Sequence, residues 1–298
     1  SYPLRPVKII VPAGPGGPDI VARIVGAKFT QQMGQTFFVE NHGGANGIVG
    51  ADMVAKAAPD GYTLMVYSSG IVINQFVNRK LPYDTTNDFA PITKLVDNTG
   101  VFITVHPSVP VKTVKEFVEY ARNPANKLSY STPGVGNTMH IATELFNSKY
   151  GTQMVHIPYK GGGLAAAAAI SGEVQVMFGN APAQIPQVRT GKLRALAVTS
   201  AARNPQLPTV PTMAESGVRD FEFTVWFGVV APAGVPEPIL TKLNSALVKA
   251  LMLPEVREAL AKLGGEASPT TRQEFAAFQK AEVKRWSAVA KDSGASIP

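Results

Sequence analysis

Short apolar runs alternate with longer amphipathic stretches along most of the chain. Val7 to Val11 reads as a strand. It meets a loop, Pro12-Ala13-Gly14-Pro15-Gly16-Gly17, and a helix is predicted from Pro18-Asp19 to Met33. Proline suits a first helical position, where its missing N–H would be unpaired anyway. Aspartate in the first turn complements the positive end of the helix dipole. A strand over Thr36 to Glu40, a Gly/Asn-rich loop over residues 41–47 and a helix from Ile48 to Ala57 follow. Pro59-Asp60-Gly61 marks a turn, and Tyr62 to Tyr67 is a strand ending at Ser68-Ser69-Gly70. This β-α-β-α-β order predicts a parallel sheet covered by helices.

After a polar connection from Leu81, two strand-like runs, Phe89 to Val96 and Val101 to Val105, precede a helix with a capping box at Thr113 and Glu116. The alternation then resumes. Strands are expected over Leu128 to Ser131, Met154 to Ile157, Val174 to Phe178 and Ala195 to Thr199. Helices are expected over Asn137 to Tyr150, over Leu164 to Ile170, and in a proline-bounded stretch ending at Thr190. Prolines at 205, 208 and 211 close this run. An aromatic strand, Phe223 to Val230, leads into helices over Glu237 to Met252, Glu255 to Leu263 and Thr271 to Lys291. The expected organisation is α/β with two domains, one from residues 1–102 plus 223–298 and one from 103–222. Each would be a mostly parallel sheet flanked by helices. Ligands of open α/β sheets bind beyond the carboxyl ends of the strands, so two such units joined by two crossings would make a hinged clamp.

The opening loop frees backbone N–H groups at a helix start, an arrangement suited to an anion; its plainer reading is a tight turn. Gly14 and Gly16 fit a dinucleotide fingerprint, but position 19 is Asp, and the Gly-Lys-Ser/Thr of a P-loop is absent. A small anion such as a carboxylate remains. Ser131-Thr132-Pro133-Gly134-Val135-Gly136-Asn137-Thr138 repeats the strand-loop-helix logic with added side-chain donors, and Lys160-Gly161-Gly162-Gly163 supplies a third glycine-rich helix start. His140 falls on the first turns of its helix, as a core or capping residue or, less simply, a catalytic base; Glu144 stands at i+4. Asp19 is assigned to helix capping, and Trp226 either to the core or to a cleft wall. His42, His106 and His156 have no metal-like spacing, and no G-x-S-x-G elbow is present.

Composition narrows this further. No apolar run approaches the ~20 residues that span a bilayer. The absence of cysteine excludes disulfides, thiolate metal sites and cysteine nucleophiles. The 28 Lys and Arg against 21 Asp and Glu give a net charge of +7. These charges are scattered, which fits steering of small anions better than nucleic-acid binding. The start SYPLRP suits either a mature N-terminus or a cytosolic chain.

The stretches YPLRPVKIIVP, GQTFFVENHGGANGIVGADMVAKAAPDGYTL, LPYDTTNDFAPI, STPGVGNTMHIATELF, HIPYKGGG, GKLRALAVTS, LPTVPTMAESGV and FAAFQKAEVKRW run from end to end. With them the chain resembles the solute receptors of tripartite tricarboxylate transporters, the Bug receptors. The resemblance implies a two-domain, type II-like periplasmic binding protein with its leader removed. It would be monomeric, need no cofactor or metal, and hand a small organic anion, a di- or tricarboxylate, to membrane permease subunits. Carried onto this sequence, the ligand loops are Ala13, Gly14, Gly16 and Gly17, and Ser131, Gly134, Val135, Gly136, Asn137 and Thr138. Phe178 and Asn180 form a further wall. Strand-end Ser68 and Ser69 and the Lys160-Gly161 turn complete the expected site. Two departures stand out: Ala13 occupies a position where the family commonly has an aromatic residue, and only Pro18 separates the glycines from Asp19. The smaller side chain would admit a bulkier ligand, such as an aromatic dicarboxylate. Rival readings are a ligand sensor for a membrane signalling partner and an enzyme on an organic acid with His140 as base.

Overall fold

A computed structural model describes residues 2–77 and 80–293. The chain divides into two compact units. Among the described residues, the first comprises 2–77, 80–97, 226–261 and 266–292, and the second 98–225, 262–265 and 293.

In the first unit, β1 (Val7–Val11) pairs in parallel with β2 (Phe37–Asn41) and with β3 (Thr63–Ser68). Helix α1 (Gly17–Met33) links β1 to β2, and α2 (Ile48–Ala55) links β2 to β3. The start of a long strand, β4 (Phe89–Val105), and most of β9 (Thr224–Pro232) extend the sheet in the order β2-β1-β3-β9-β4, with β9 antiparallel to β3. The two-residue β10 (Glu266–Ala267) pairs antiparallel with β4. Val21, Ala22, Val25 and Phe29 give α1 a buried stripe at helical spacing, and Gly34 ends it in the left-handed conformation that glycine adopts at no steric cost. Helices α8 (Glu237–Leu251), α9 (Pro254–Ala261) and α10 (Arg272–Ser293) complete the unit. Trp226 is core: it is 2% exposed, packs edge-on against Tyr67, Phe275 and Phe278, and donates its indole N–H to Glu282. Trp286 donates to the same carboxylate.

The second unit repeats the strand-helix logic. Parallel β5 (Ser129–Thr132) lies between β6 (Val155–Pro158) and β7 (Val176–Asn180). The end of β4 pairs antiparallel with both β7 and β8 (Arg194–Val198). Helices α4 (Val114–Arg122), α5 (Thr138–Tyr150), α6 (Gly162–Ser171) and α7 (Ala181–Arg189) connect the strands. The capping box at the start of α4 forms with both reciprocal bonds. Parallel pairing thus prevails where strand-helix-strand units build the sheet, and antiparallel pairing where β4 and β9 join it.

Three elements differ from the sequence-based expectation. The two runs at 89–96 and 101–105 are one continuous strand, because the polar stretch between them is held by pairing: Asp97 sits opposite Glu266, and the Val101 N–H donates to Thr199 Oγ1 at 2.8 Å. Helix α3 (Ser69–Val77) follows β3 with no linker where only a strand end was expected. Its β-branched Ile71, Val72 and Ile73 are poor helix formers in isolation, but all three are buried, and burial overrides propensity. The third is β10, too short to register as a strand pattern.

Candidate functional site

The loops that leave the carboxyl ends of β1, β2 and β3 come together in the first unit. Asn41 donates its side-chain amide to the Ala13 carbonyl at 3.1 Å. Gly47, in the left-handed conformation at φ 86°, approaches Pro12 so closely that a Cβ there would lie 2.5 Å from the Pro12 carbonyl oxygen. A Cβ on Gly43 would stand 3.4 Å from the Gly14 nitrogen. Gly43 and Gly47 are therefore spaces into which the first loop fits. Asn74 of α3 reaches back to the Asn46 carbonyl at 2.9 Å. The loop after β2 belongs to this cluster, although the expected site omitted it; its glycines and asparagines carried the signal.

Helix α1 opens at Gly16 with no side-chain cap. The first N–H groups of a helix have no intrahelical partner, and no side chain of the cap takes them here; Gly17 is buried and Pro18 has no N–H to offer. Gly14 is exposed, and Ala13 and Gly16 are half-buried. Asp19 is in the first turn but does not cap; its carboxylate, nearly buried, pairs with Arg23 one turn on. At the end of β3 the Ser68 hydroxyl accepts from the Gly70 N–H. The Ser69 hydroxyl is fully buried and has no hydrogen-bond partner among the described residues.

In the second unit the loops after β5 and β6 meet. The Gly161 N–H donates to the Pro133 carbonyl, and the Tyr159 N–H to that of Thr132. Helix α6 opens at Gly161, again without a side-chain cap, and Lys160, Gly162 and Gly163 are exposed. Side chains expected as ligand donors are largely committed elsewhere. Ser131, fully buried, donates its hydroxyl to the Ala165 carbonyl and ties α6 to β5. Asn137 caps α5 by accepting the Met139 N–H at 2.8 Å. Asn180 caps α7 in the same way through Ala183. Phe178 turns into the core, edge-on to Phe146. Thr138 is buried at the first position of α5, while Val135 stands exposed on the loop with Gly134 half-buried and Gly136 buried beside it.

The second unit also assembles a polar cluster that sequence spacing does not reveal. Parallel register places Tyr130 of β5 beside His156 of β6, and α5 lays His140 over them. The two imidazoles stack with centroids 3.9 Å apart and planes 15° from parallel, and Tyr130 stacks on His156 at 5.0 Å. The Gly136 N–H donates to His140 Nδ1 at 2.9 Å. Tyr130 donates its hydroxyl to Glu144. Burial pushes His140 below the ordinary histidine value, against an opposing pull from Glu144; burial and the neighbouring His140 push His156 down to about 4. His140 therefore acts as a neutral acceptor at the start of its helix. Its Nδ1 lone pair is occupied, which removes that atom as a base. Among the described residues no cluster of three or more His, Cys, Asp or Glu could hold a metal ion.

The model of the "Tripartite tricarboxylate transporter family receptor" matches residues 21–295. The chain belongs to this family. The BugT protein of Bordetella pertussis is 34% identical over 300 residues, covering all of this chain and 92% of that protein. A solved R. palustris structure with adipate shares 35% identity and a TM-score of 0.93 over 99% of both chains. MatC from Rhodopseudomonas palustris, solved with bound malate, shares 33% identity and a TM-score of 0.89 over 97% of this chain and all of that one. As a tripartite tricarboxylate transporter receptor the chain is a solute-binding protein of the periplasmic type, and carboxylates are the ligands named for two of its relatives. No helix among the described residues is long and apolar enough to cross a membrane.

Proposed function

We propose that this receptor captures a small dicarboxylate in the periplasm and delivers it to the membrane subunits of a tripartite tricarboxylate transporter. The observation that carries the reading is a helix in each unit, α1 and α6, that starts at a glycine with no side-chain cap beside the carboxyl ends of parallel strands. Main-chain N–H groups and the positive helix end suit a carboxylate without a formal counter-charge. In the first unit the ligand contacts would be Ala13, Gly14, Gly16 and Gly17 with Ser68 and Ser69. In the second they would be Gly134, Val135, Gly136 and Thr138, with Gly161 and the exposed Lys160 at the margin. Ser131, Asn137, Phe178 and Asn180 support these loops from behind. Adipate and malate, the ligands of two relatives, set the expected size, and Ala13 leaves room for a longer or aromatic acid.

The test is a thermal-shift series on ligand-stripped protein with malate, adipate, tricarboxylates, aromatic dicarboxylates and monocarboxylates. A ligand at ~100 times its Kd stabilises the folded state by about 2.7 kcal/mol, enough to raise Tm visibly. A rise with dicarboxylates and little with monocarboxylates is expected. No rise with any acid of the series overturns the carboxylate reading.

A further inference from the structure

The loop over residues 133–137 is held from behind by two histidines. His140 Nδ1 accepts the Gly136 N–H at 2.9 Å, so the neutral ring carries its proton on Nε2. Gly136 sits at φ 74°, a conformation open to glycine but costly for other residues, and this bond fixes it. His156 Nε2 lies 2.6 Å from Thr132 Oγ1, and the same hydroxyl accepts the Gly134 N–H at 3.3 Å. Both glycines of the loop are thus tied to an imidazole, one directly and one through a hydroxyl. The rings stack on each other at 3.9 Å, so the two tethers are one object.

We propose that His140 and His156 are positioning residues for the second anion loop, and that only a neutral His140 holds the Gly136 amide in place for a ligand. The proposal rests on the receptor reading for its ligand, but the latch itself is a property of the unit alone. An imidazolium at 140 has no lone pair on Nδ1 and would set N–H against N–H at Gly136. Thr132 Oγ1 already donates to the Gly134 carbonyl at 3.0 Å and accepts from the Gly134 N–H, so His156, which lies against that hydroxyl, braces the loop in either charge state and the charge-sensitive tether is the one at His140. The titratable groups that face the pair are Tyr130 from β5 and Glu144 from α5 itself. Tyr130 stays neutral, because burial and Glu144 both raise its pKa. Glu144 attracts a proton to His140, but its carboxylate is already engaged by Tyr130 and by Asn147. Burial of both rings, and the repulsion of two cations in contact, favour the neutral state, in agreement with the lowered values of both histidines.

Two arms test this on the full-length chain. The first follows hydrogen exchange of the Gly136 amide, corrected for intrinsic rate, at about pH 7.5 and about pH 5, on either side of ordinary histidine titration. The wild type should lose about tenfold protection on acidification, the effect of one unit of proton linkage. His140→Asn, which offers Oδ1 where Nδ1 lies and does not titrate, should keep its protection at both values. His140→Leu should lack it at both. The second arm measures malate and adipate binding by calorimetry at the same two values. Comparing wild type with His140→Asn cancels protonation of the ligand itself, and the wild type should weaken about tenfold more on acidification. Equal pH dependence of Gly136 protection in wild type and His140→Asn overturns the proposal. If neither acid binds at either pH, the carboxylate reading fails, while the exchange arm still decides the latch.

Discussion

The hydroxyl of Ser69 is sealed from solvent and has no partner among the described residues, a condition that costs about 1–3 kcal/mol for a buried polar group. A ligand carboxylate that reached it through a shift of the β3–α3 junction would repay that cost. Ser69→Ala should therefore leave the urea midpoint of the stripped protein unchanged or raised, and weaken ligand binding by about tenfold, the worth of one hydrogen bond to a charged group. Lower stability with unaltered affinity would assign the hydroxyl to the fold instead. Ser131 behaves oppositely: its hydroxyl is spent on the Ala165 carbonyl, so Ser131→Ala should lower stability first. The histidine pair adds a pH dependence with a definite sign. The folded value of His156 is about 4 and the unfolded value is near 6.5. The unfolded chain binds more protons in between, so stability is fully present above about pH 6.5 and is lost as pH falls toward 4. A urea midpoint that falls across this window, and falls less in His156→Gln, is the expected record. At this scale the sequence showed which residue types were available. It could not show that Ser131 and Phe178 face inward, or that Tyr130, His140 and His156 share one stack, because those facts depend on register between strands far apart in the chain.

Helix starts are the elements on which the site is built, and they fall into two kinds. Helices α4, α5 and α7 are closed by their own side chains, Thr113, Asn137 and Asn180. Helices α1, α2 and α6 begin at glycine with no side-chain cap, and in α6 the first two residues, Gly162 and Gly163, are exposed. The contrast gives paired expectations. Thr113→Ala removes a structural cap and should cost about 1 kcal/mol in denaturation without altering ligand affinity. Gly47→Ala forces a side chain into a left-handed position and against the Pro12 carbonyl, which should cost about 1–3 kcal/mol and displace the first loop. Binding should weaken in that variant alone. Glycine patterns and capping boxes were legible in advance because both act within a few residues. Helix α3 was not, since its Ile-Val-Ile run favours a strand until tertiary burial decides otherwise. Nor was the continuity of β4, whose polar middle looks like a turn until a pairing partner is present.

At the scale of the molecule, the net charge of +7 is spread over the chain, and among the expected ligand contacts Lys160 alone carries a charge. The field should therefore speed the arrival of an anion, while the main-chain donors set how long it stays. Raising ionic strength, which shortens the Debye length to about 3 Å at 1 M, should slow association of a dicarboxylate and leave its dissociation rate nearly constant. A dissociation rate that climbs steeply with salt would instead indicate a direct ion pair in the site. The sequence by itself determined the alternation of strands and helices, the glycine-rich helix starts, the absence of cysteine chemistry and, through motifs spread from end to end, the family. These are local or compositional properties, written in neighbouring residues. Only the tertiary structure decided which donors remain accessible and which are consumed. A hydroxyl or an imidazole has a fixed number of bonds to give, and whether a distant carbonyl, amide or ring takes them is settled by strand register and packing.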